Sequence, residues 1–150
     1  MRNYVLAFLL FGIIFSACEQ DDICLLDTTP SLIIVFKDKD AVENKKSVSQ
    51  LTVWAKDKDS ILVNQSVDSI AIPLDLNNDL TKFQFANSSS TDEFTFVYSR
   101  TDEFVSRSCG YKTLFSNLSV VDQTNNWINS YELQNTSVEN ELTTHIIFYH

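Results

Sequence analysis

The stretch KFQFANSSSTDEFTFVYS, residues 82–99, decides the fold class. Large aromatic side chains occupy every second position on both sides of a polar segment in its middle. The aromatic residues are Phe83, Phe85, Phe94, Phe96 and Tyr98. A two-residue period puts successive side chains on opposite faces of a strand. The stretch therefore predicts two half-buried antiparallel strands, each with one face against a core.

The rest of the chain from Ser31 onward repeats this pattern of short β-forming runs separated by Asn, Asp and Ser clusters. Eight or nine strands are expected: 32–37, 51–56, 69–74, 82–86, 93–99, 104–109, 112–121, 127–133 and 144–149. The spacing predicts an all-β fold, an antiparallel, immunoglobulin-like β-sandwich over residues 31–150, with a small β-barrel as the alternative. Pro73 is expected at a sheet edge or a bulge.

Composition limits the chain to one ordinary domain and excludes several function classes. The 150 residues are 44% hydrophobic, which is too apolar for a disordered chain. A net charge of −9 argues against a nucleic-acid partner. Only two glycines are present, and Gly12 lies in an N-terminal apolar run, so Gly110 alone remains beyond it. Phosphate-cradling and dinucleotide-binding loops need several glycines, and no cofactor is expected.

The first 17 residues are typical of a signal peptide. Arg2 precedes an apolar run from Tyr4 to Phe15, which is too short to span a bilayer as a helix. The run ends in FSAC, residues 15–18, and small residues before a cysteine resemble the lipobox of bacterial lipoproteins. This resemblance implies cleavage before Cys18 and lipidation of its thiol. The alternative is an ordinary secretory signal cleaved after Ala17, with Cys18 an unmodified thiol.

Residues 18–30 are expected to form an acidic tether between the lipidated Cys18 and the domain. The sequence EQDD at residues 19–22 resembles the signal that exports many Bacteroidetes lipoproteins to the outer face of the outer membrane. The alternative is a solvated linker. The expected location is therefore the bacterial outer membrane, lipid-anchored, on the periplasmic side or at the cell surface.

Cys24 and Cys109 remain once Cys18 is acylated. In an exported protein the natural expectation is a disulfide between them. Two alternatives are free or reactive thiols and a zinc site with His145 and His150. Zinc is disfavoured because two histidines five residues apart on a strand point to opposite faces, so no metal site is expected.

Several segments together resemble one family. They are CEQDDIC at 18–24, DTTPSLII at 27–34, DSIAIPL at 68–74, SRSCGYKTLF at 106–115, WI at 127–128 and HIIFY at 145–149. The chain resembles a family of small flavobacterial lipoproteins known only as domain of unknown function 6452. The resemblance implies an exported single-domain lipoprotein and attaches no activity to it.

Candidate binding residues are few. Trp54, Tyr111 and Trp127 could form an aromatic platform for sugar or peptide, although such residues are more often part of a core. Arg100 and Arg107 could recognise a carboxylate, although surface ion pairing is the simpler expectation.

Three short matches resemble O-glycosylation sites of Bacteroidetes. In these Asp-Ser/Thr-aliphatic/Thr patterns the acceptors are Thr28, Ser60 and Ser69. The pattern is short enough to occur by chance, so it indicates candidate sites only.

No catalytic residues are predicted. The leading expectation is a non-enzymatic envelope module that binds the bilayer through acylated Cys18 and contacts other envelope proteins through its sheet edges. The alternative is a small hydrolase or a carbohydrate-binding accessory lipoprotein. A hydrolase would need His145, Cys109 and a carboxylate gathered in one cleft.

Overall fold

The computed structural model describes Cys24 and residues 28–150. The predicted signal peptide, Cys18 and the acidic residues 19–22 lie outside these residues. The described part forms nine strands: β1 (Leu32–Lys37), β2 (Val48–Ala55), β3 (Ser60–Val67), β4 (Ser69–Ile72), β5 (Leu80–Ala86), β6 (Thr91–Ser106), β7 (Gly110–Gln123), β8 (Ser130–Leu133) and β9 (Ile146–Tyr149). Within these residues the structure has no helix long and apolar enough to span a bilayer.

The strands form two sheets that do not close into a barrel. One sheet has the order β4-β1-β9-β8 and the other the order β3-β2-β5-β6-β7. The predicted all-β sandwich is therefore confirmed, and the alternative of a small barrel is wrong. Strand pairs are antiparallel except β1 and β9, which run parallel with Ile34 opposite Ile146.

Phenylalanine rings from both sheets fill the core. Phe83 and Phe85 on β5 and Phe94 on β6 are fully buried, as the alternation predicts. Across the sandwich, Phe148 of β9 lies with its ring centroid 4.5 Å from that of Phe94 and 5.3 Å from that of Phe85. Aromatic pairs at these distances add a specific contact to the burial of apolar surface. The two sheets are thus joined through the final strand.

Besides shifts of one to three residues at several strand ends, the strand predictions differ from the structure in two places. The predicted strand 93–99 and the first half of the predicted strand 104–109 form one continuous strand, β6, which runs through the polar residues between them and ends at Ser106, so that residues 107–109 are a turn instead. β3 was not predicted, because most of its side chains are exposed and it lacks the clear alternation of a half-buried strand. Pro73 directly follows β4, an edge strand of the four-stranded sheet.

A buried carboxylate holds the connection between β7 and β8. Asp92 is fully buried at the start of β6. Its Oδ1 accepts hydrogen bonds from the Thr124 hydroxyl at 2.8 Å and the Asn126 amide at 2.6 Å. Its Oδ2 accepts from the amides of Trp127 and Ile128, both at 2.8 Å. Four donors therefore satisfy a charge that would otherwise be costly to bury.

We expect Asp92→Ala to lower the free energy of unfolding by about 3–5 kcal/mol, because it removes a charged acceptor and leaves buried amides without a partner. Urea denaturation measures the change. Asp122→Ala, which removes an exposed carboxylate on β7, is the matched control and should cost less than about 0.5 kcal/mol. Equal losses in the two variants would contradict the role assigned to Asp92.

Candidate functional site

The β6–β7 hairpin extends past the sheet that carries it. β5 pairs with β6 only as far as Val97, whereas β6 and β7 continue to pair with each other up to Ser106 and Gly110. We call residues 101–106 and 110–114 the arm, which is about 17 Å long at the usual rise per strand residue. Among the described residues, no further strand pairs with the β6 side of the arm.

Contacts at the base hold the arm in a defined direction. The Arg100 Nε donates to Asp79 Oδ1 at 2.6 Å, and its guanidinium also donates to the Leu76 carbonyl. The hydrogen bond to Asp79 raises the pKa of Arg100 above its usual value. Beside it, the Tyr98 hydroxyl is hydrogen-bonded to Thr81 and donates to the Asp75 carbonyl at 3.1 Å. The arm is therefore continuous with the core rather than a loose loop.

The tip of the arm turns at a glycine and carries a disulfide. Gly110 has φ +72°, a left-handed conformation that glycine adopts at no steric cost. Its neighbour Cys109 is bonded to Cys24, with the two Cα atoms 4.9 Å apart. The structure thus contains the predicted disulfide. The Thr113 amide also donates to Thr29 Oγ1 at 2.9 Å, so Thr29 lies against the β7 strand of the arm.

Two exposed aromatic rings face each other across the arm near this disulfide. Phe104 and Tyr111 are opposite each other in the register of β6 and β7, with ring centroids 5.4 Å apart. Their exposed fractions are 56% and 71%. Tyr111 is a predicted binding residue. Phe104 is not, because the sequence predicts it on a strand with one buried face. A pocket of about 230 Å³ is lined by Tyr111, Val105 and Thr28 beside the disulfide.

The arm and the turn at 107–109 together carry two acidic and two basic side chains, Asp102, Glu103, Arg107 and Lys112. Lys112 Nζ lies 3.6 Å from Glu103 Oε2. Asp102 Oδ1 accepts a hydrogen bond from the Thr113 hydroxyl at 2.7 Å. Arg107 is exposed in the turn. The arm and its turn thus have no net charge in a chain whose net charge is −9.

The other two predicted aromatic residues have different surroundings. Trp127 packs on the core, with its ring 6.2 Å from Phe36 and its Nε1 donating to the Phe85 carbonyl at 2.9 Å. Trp54 is half-buried on β2, opposite Gln84 of β5. The structure therefore does not bring Trp54, Tyr111 and Trp127 together into one platform, because the indole of Trp127 is engaged by core groups.

The candidate glycosylation residues lie at three separate places. Thr28 is exposed near the N-terminal segment, and Ser60 is exposed at the start of β3. Ser69 is half-buried, and its hydroxyl donates to Asp68 Oδ1 at 2.9 Å. Asp27 lies outside the described residues. These sites remain predictions.

The histidines and Cys109 are not gathered in a cleft. His145 is fully buried just before β9, and its Nδ1 accepts a hydrogen bond from the Ile33 amide at 2.9 Å. His150 is engaged with the Lys46 carbonyl at 3.1 Å. In the part of the chain that the structure describes, no three His, Cys, Asp or Glu side chains gather to hold a metal ion. His145 therefore joins β9 to β1 as a neutral acceptor.

This arrangement makes stability depend on pH. Burial lowers the pKa of His145, and the Coulombic effect of Glu141 opposes the shift only in second place. The unfolded chain, with a histidine pKa near 6.5, therefore binds the proton first as the pH falls. The contribution of His145 to the free energy of unfolding is therefore complete above a pH of about 6.5. It is lost as the pH falls from there through the lower pKa that His145 has in the folded state.

We expect the free energy of unfolding to fall between about pH 7.5 and pH 5.5 in the wild type, and to fall less in His145→Asn, whose amide oxygen is attached to Cγ as Nδ1 is and can accept the Ile33 hydrogen bond but does not titrate. Urea denaturation at both pH values measures the difference. An identical fall in the two proteins would show that His145 does not cause the pH dependence.

Comparison with known proteins identifies the family. The model of a family of unknown function, DUF6452, matches residues 50–150, which include the arm and Cys109 but exclude Cys24. No curated protein and no solved structure matches the chain. The match confirms the family part of the predicted resemblance. It covers more than half of the sequence, and the chain therefore belongs to the DUF6452 family of unknown function.

Proposed function

We propose that the chain is a lipid-anchored, non-catalytic binding or structural module of the bacterial cell envelope, acylated at Cys18 and held on the outer membrane. One observation carries the proposal. Cys24, six residues after Cys18, is bonded to Cys109 at the tip of the arm. A tether that starts at an acylated Cys18 would thus be fastened to the tip of the arm, which extends past the end of β5.

The disulfide supports an exported location. Such bonds persist in oxidising compartments and are rare in the cytosol. This one closes a loop with a sequence separation of 85 residues, and the chain-entropy model gives about 4–5 kcal/mol of stabilisation for a loop of that length. That is a large part of the total stability of a small domain. A module that relies on this bond fits the periplasm or the cell surface.

The engagement of the reactive groups supports a non-catalytic role. The sulfur of Cys109 is bonded to Cys24 and is not a thiolate nucleophile. His145 is buried and already accepts a hydrogen bond from the Ile33 amide, so it is not positioned as a general base. The hydrolase alternative loses the two residues on which it was based.

The edge strand β3 is the surface that we propose for contact with other envelope proteins. Its eight residues, SILVNQSV, contain no charge and no proline, and Ile61 and Val63 are 42% and 60% exposed. Edge strands of this composition can accept an added strand from a partner. The other edge strands offer less free backbone for strand addition. β4 and β8 have only four residues each, and Phe115 of β7 exchanges backbone hydrogen bonds with Val138.

The anchor is tested by Cys18→Ala in cells fed a clickable palmitate analogue. We expect this variant to lose the label and to move from the membrane to the soluble fraction, because acyl chains supply the membrane affinity. Cys24→Ala is the matched control, since it removes a different cysteine, and it should stay labelled and membrane-bound. A Cys18→Ala variant that keeps its label, or a mature protein with an unmodified amino terminus by mass spectrometry, contradicts the proposal.

The contact surface is tested by a photoreactive amino acid in place of Ile61 and irradiation of intact cells. We expect a crosslinked adduct that Val63→Lys abolishes, because a charge on an edge strand opposes strand addition. Val121→Lys, at a β7 position with the similar exposure of 59%, should leave the adduct intact. No adduct, or one that both substitutions leave unchanged, contradicts the assignment to β3.

A further inference from the structure

We infer that the tip of the arm touches the bilayer, with Phe104 and Tyr111 resting among the headgroups of a zwitterionic lipid surface. The inference rests on the proposed acylation of Cys18. It adds a second, non-covalent membrane contact to the lipid anchor and gives the domain a defined orientation on the membrane.

The first argument is the reach of the tether. Cys24 follows Cys18 by six residues, which span at most about 20 Å even when fully extended. The disulfide joins Cys24 to Cys109 in the turn of the arm. Wherever an acylated Cys18 sits, the tip of the arm therefore stays within about that distance of the acyl chains. The other end of β6, at Thr91, lies about 50 Å from Ser106 along the strand.

The second argument is the chemistry of the tip. Among the described residues, Phe104 and Tyr111 are the two aromatic side chains that are more than half exposed, and they contact each other. An aromatic ring with an apolar body and, in tyrosine, a polar hydroxyl suits the boundary between acyl chains and water. The exposed Val63, by contrast, lies on β3, at the opposite edge of the five-stranded sheet from β7.

The third argument is charge. The whole chain has a net charge of −9 and would be repelled by an anionic surface, whereas the charges of the arm and its turn together sum to zero. The short segment before Cys24 also carries Glu19, Asp21 and Asp22. These acidic residues disfavour an anionic leaflet, so the occupant that fits the tip is a surface of zwitterionic headgroups.

The test uses the full acylated protein in phosphatidylcholine vesicles whose acyl chains carry bromine. Bromine quenches the fluorescence of tryptophan side chains that reach into the membrane. We compare Phe104→Trp with Val63→Trp, each after subtraction of the wild-type emission from Trp54 and Trp127. Val63 is a matched control because it is similarly exposed on the edge strand β3. Its neighbour Leu62 pairs with Val53, which pairs with Phe85, which pairs with Asp92 of β6, so these residues form one row across the sheet. Asp92 lies about 40 Å from Phe104 along β6, so Val63 is far from the tip of the arm.

We expect the emission added by Phe104→Trp to be quenched several-fold more than that added by Val63→Trp. Adding Cys24→Ala to Phe104→Trp should reduce the quenching, because the tip is then no longer fastened to the tether. Equal quenching in Phe104→Trp and Val63→Trp, with acylation verified by mass spectrometry, overturns the inference and leaves the anchor intact. If the tryptophan of Phe104→Trp becomes shielded as the protein concentration rises, rather than as lipid is added, the inference is overturned in favour of contact with a second copy of this chain. Loss of the acyl group itself would instead refute the proposed function.

Discussion

The contact of Phe94 with Phe148 is the interaction on which the rest of the structure depends. Each sheet has one apolar face, and neither is stable in water until that face is covered. Phe148 reaches across the sandwich from β9 and meets both Phe94 and Phe85. The alternation of aromatic and polar residues along β5 and β6 follows from this requirement, and so does the position of β9 beside β1 in the centre of its sheet.

Features that the core does not require are the ones that point to function. A sandwich needs neither an arm beyond Val97 nor a disulfide at its tip, and it does not need the exposed side chains of β3, which are six of the eight in that strand. The fold shortens or covers its other edges, which is the usual protection against unwanted strand pairing. β3 forms one edge of the five-stranded sheet, and the arm extends from the two strands at its other edge. The membrane contact and the partner contact that we propose would therefore not compete for surface.

Much of the fold could be predicted from the sequence, because burial leaves a periodic pattern. β1 was predicted with its observed bounds, and the aromatic alternation of β5 and β6 indicated the core. β3 escaped prediction because six of its eight residues are exposed, so it shows no clear alternation. The strands of the arm were predicted as 104–109 and 112–121, but the period along one strand does not show that this hairpin extends past its neighbour β5. Asp92 escaped because a buried aspartate and a turn aspartate look alike until its four donors, distant in sequence, are placed around it.

The parallel pairing of β1 with β9 has a consequence for how the chain is made. β9 lies between β1 and β8, so the four-stranded sheet cannot be completed until residues near the carboxyl terminus have been synthesised. Contacts between residues so far apart in sequence form slowly, since a long loop must close first. The five-stranded sheet, whose strands all lie within residues 48–123, can therefore pair before the four-stranded sheet is complete.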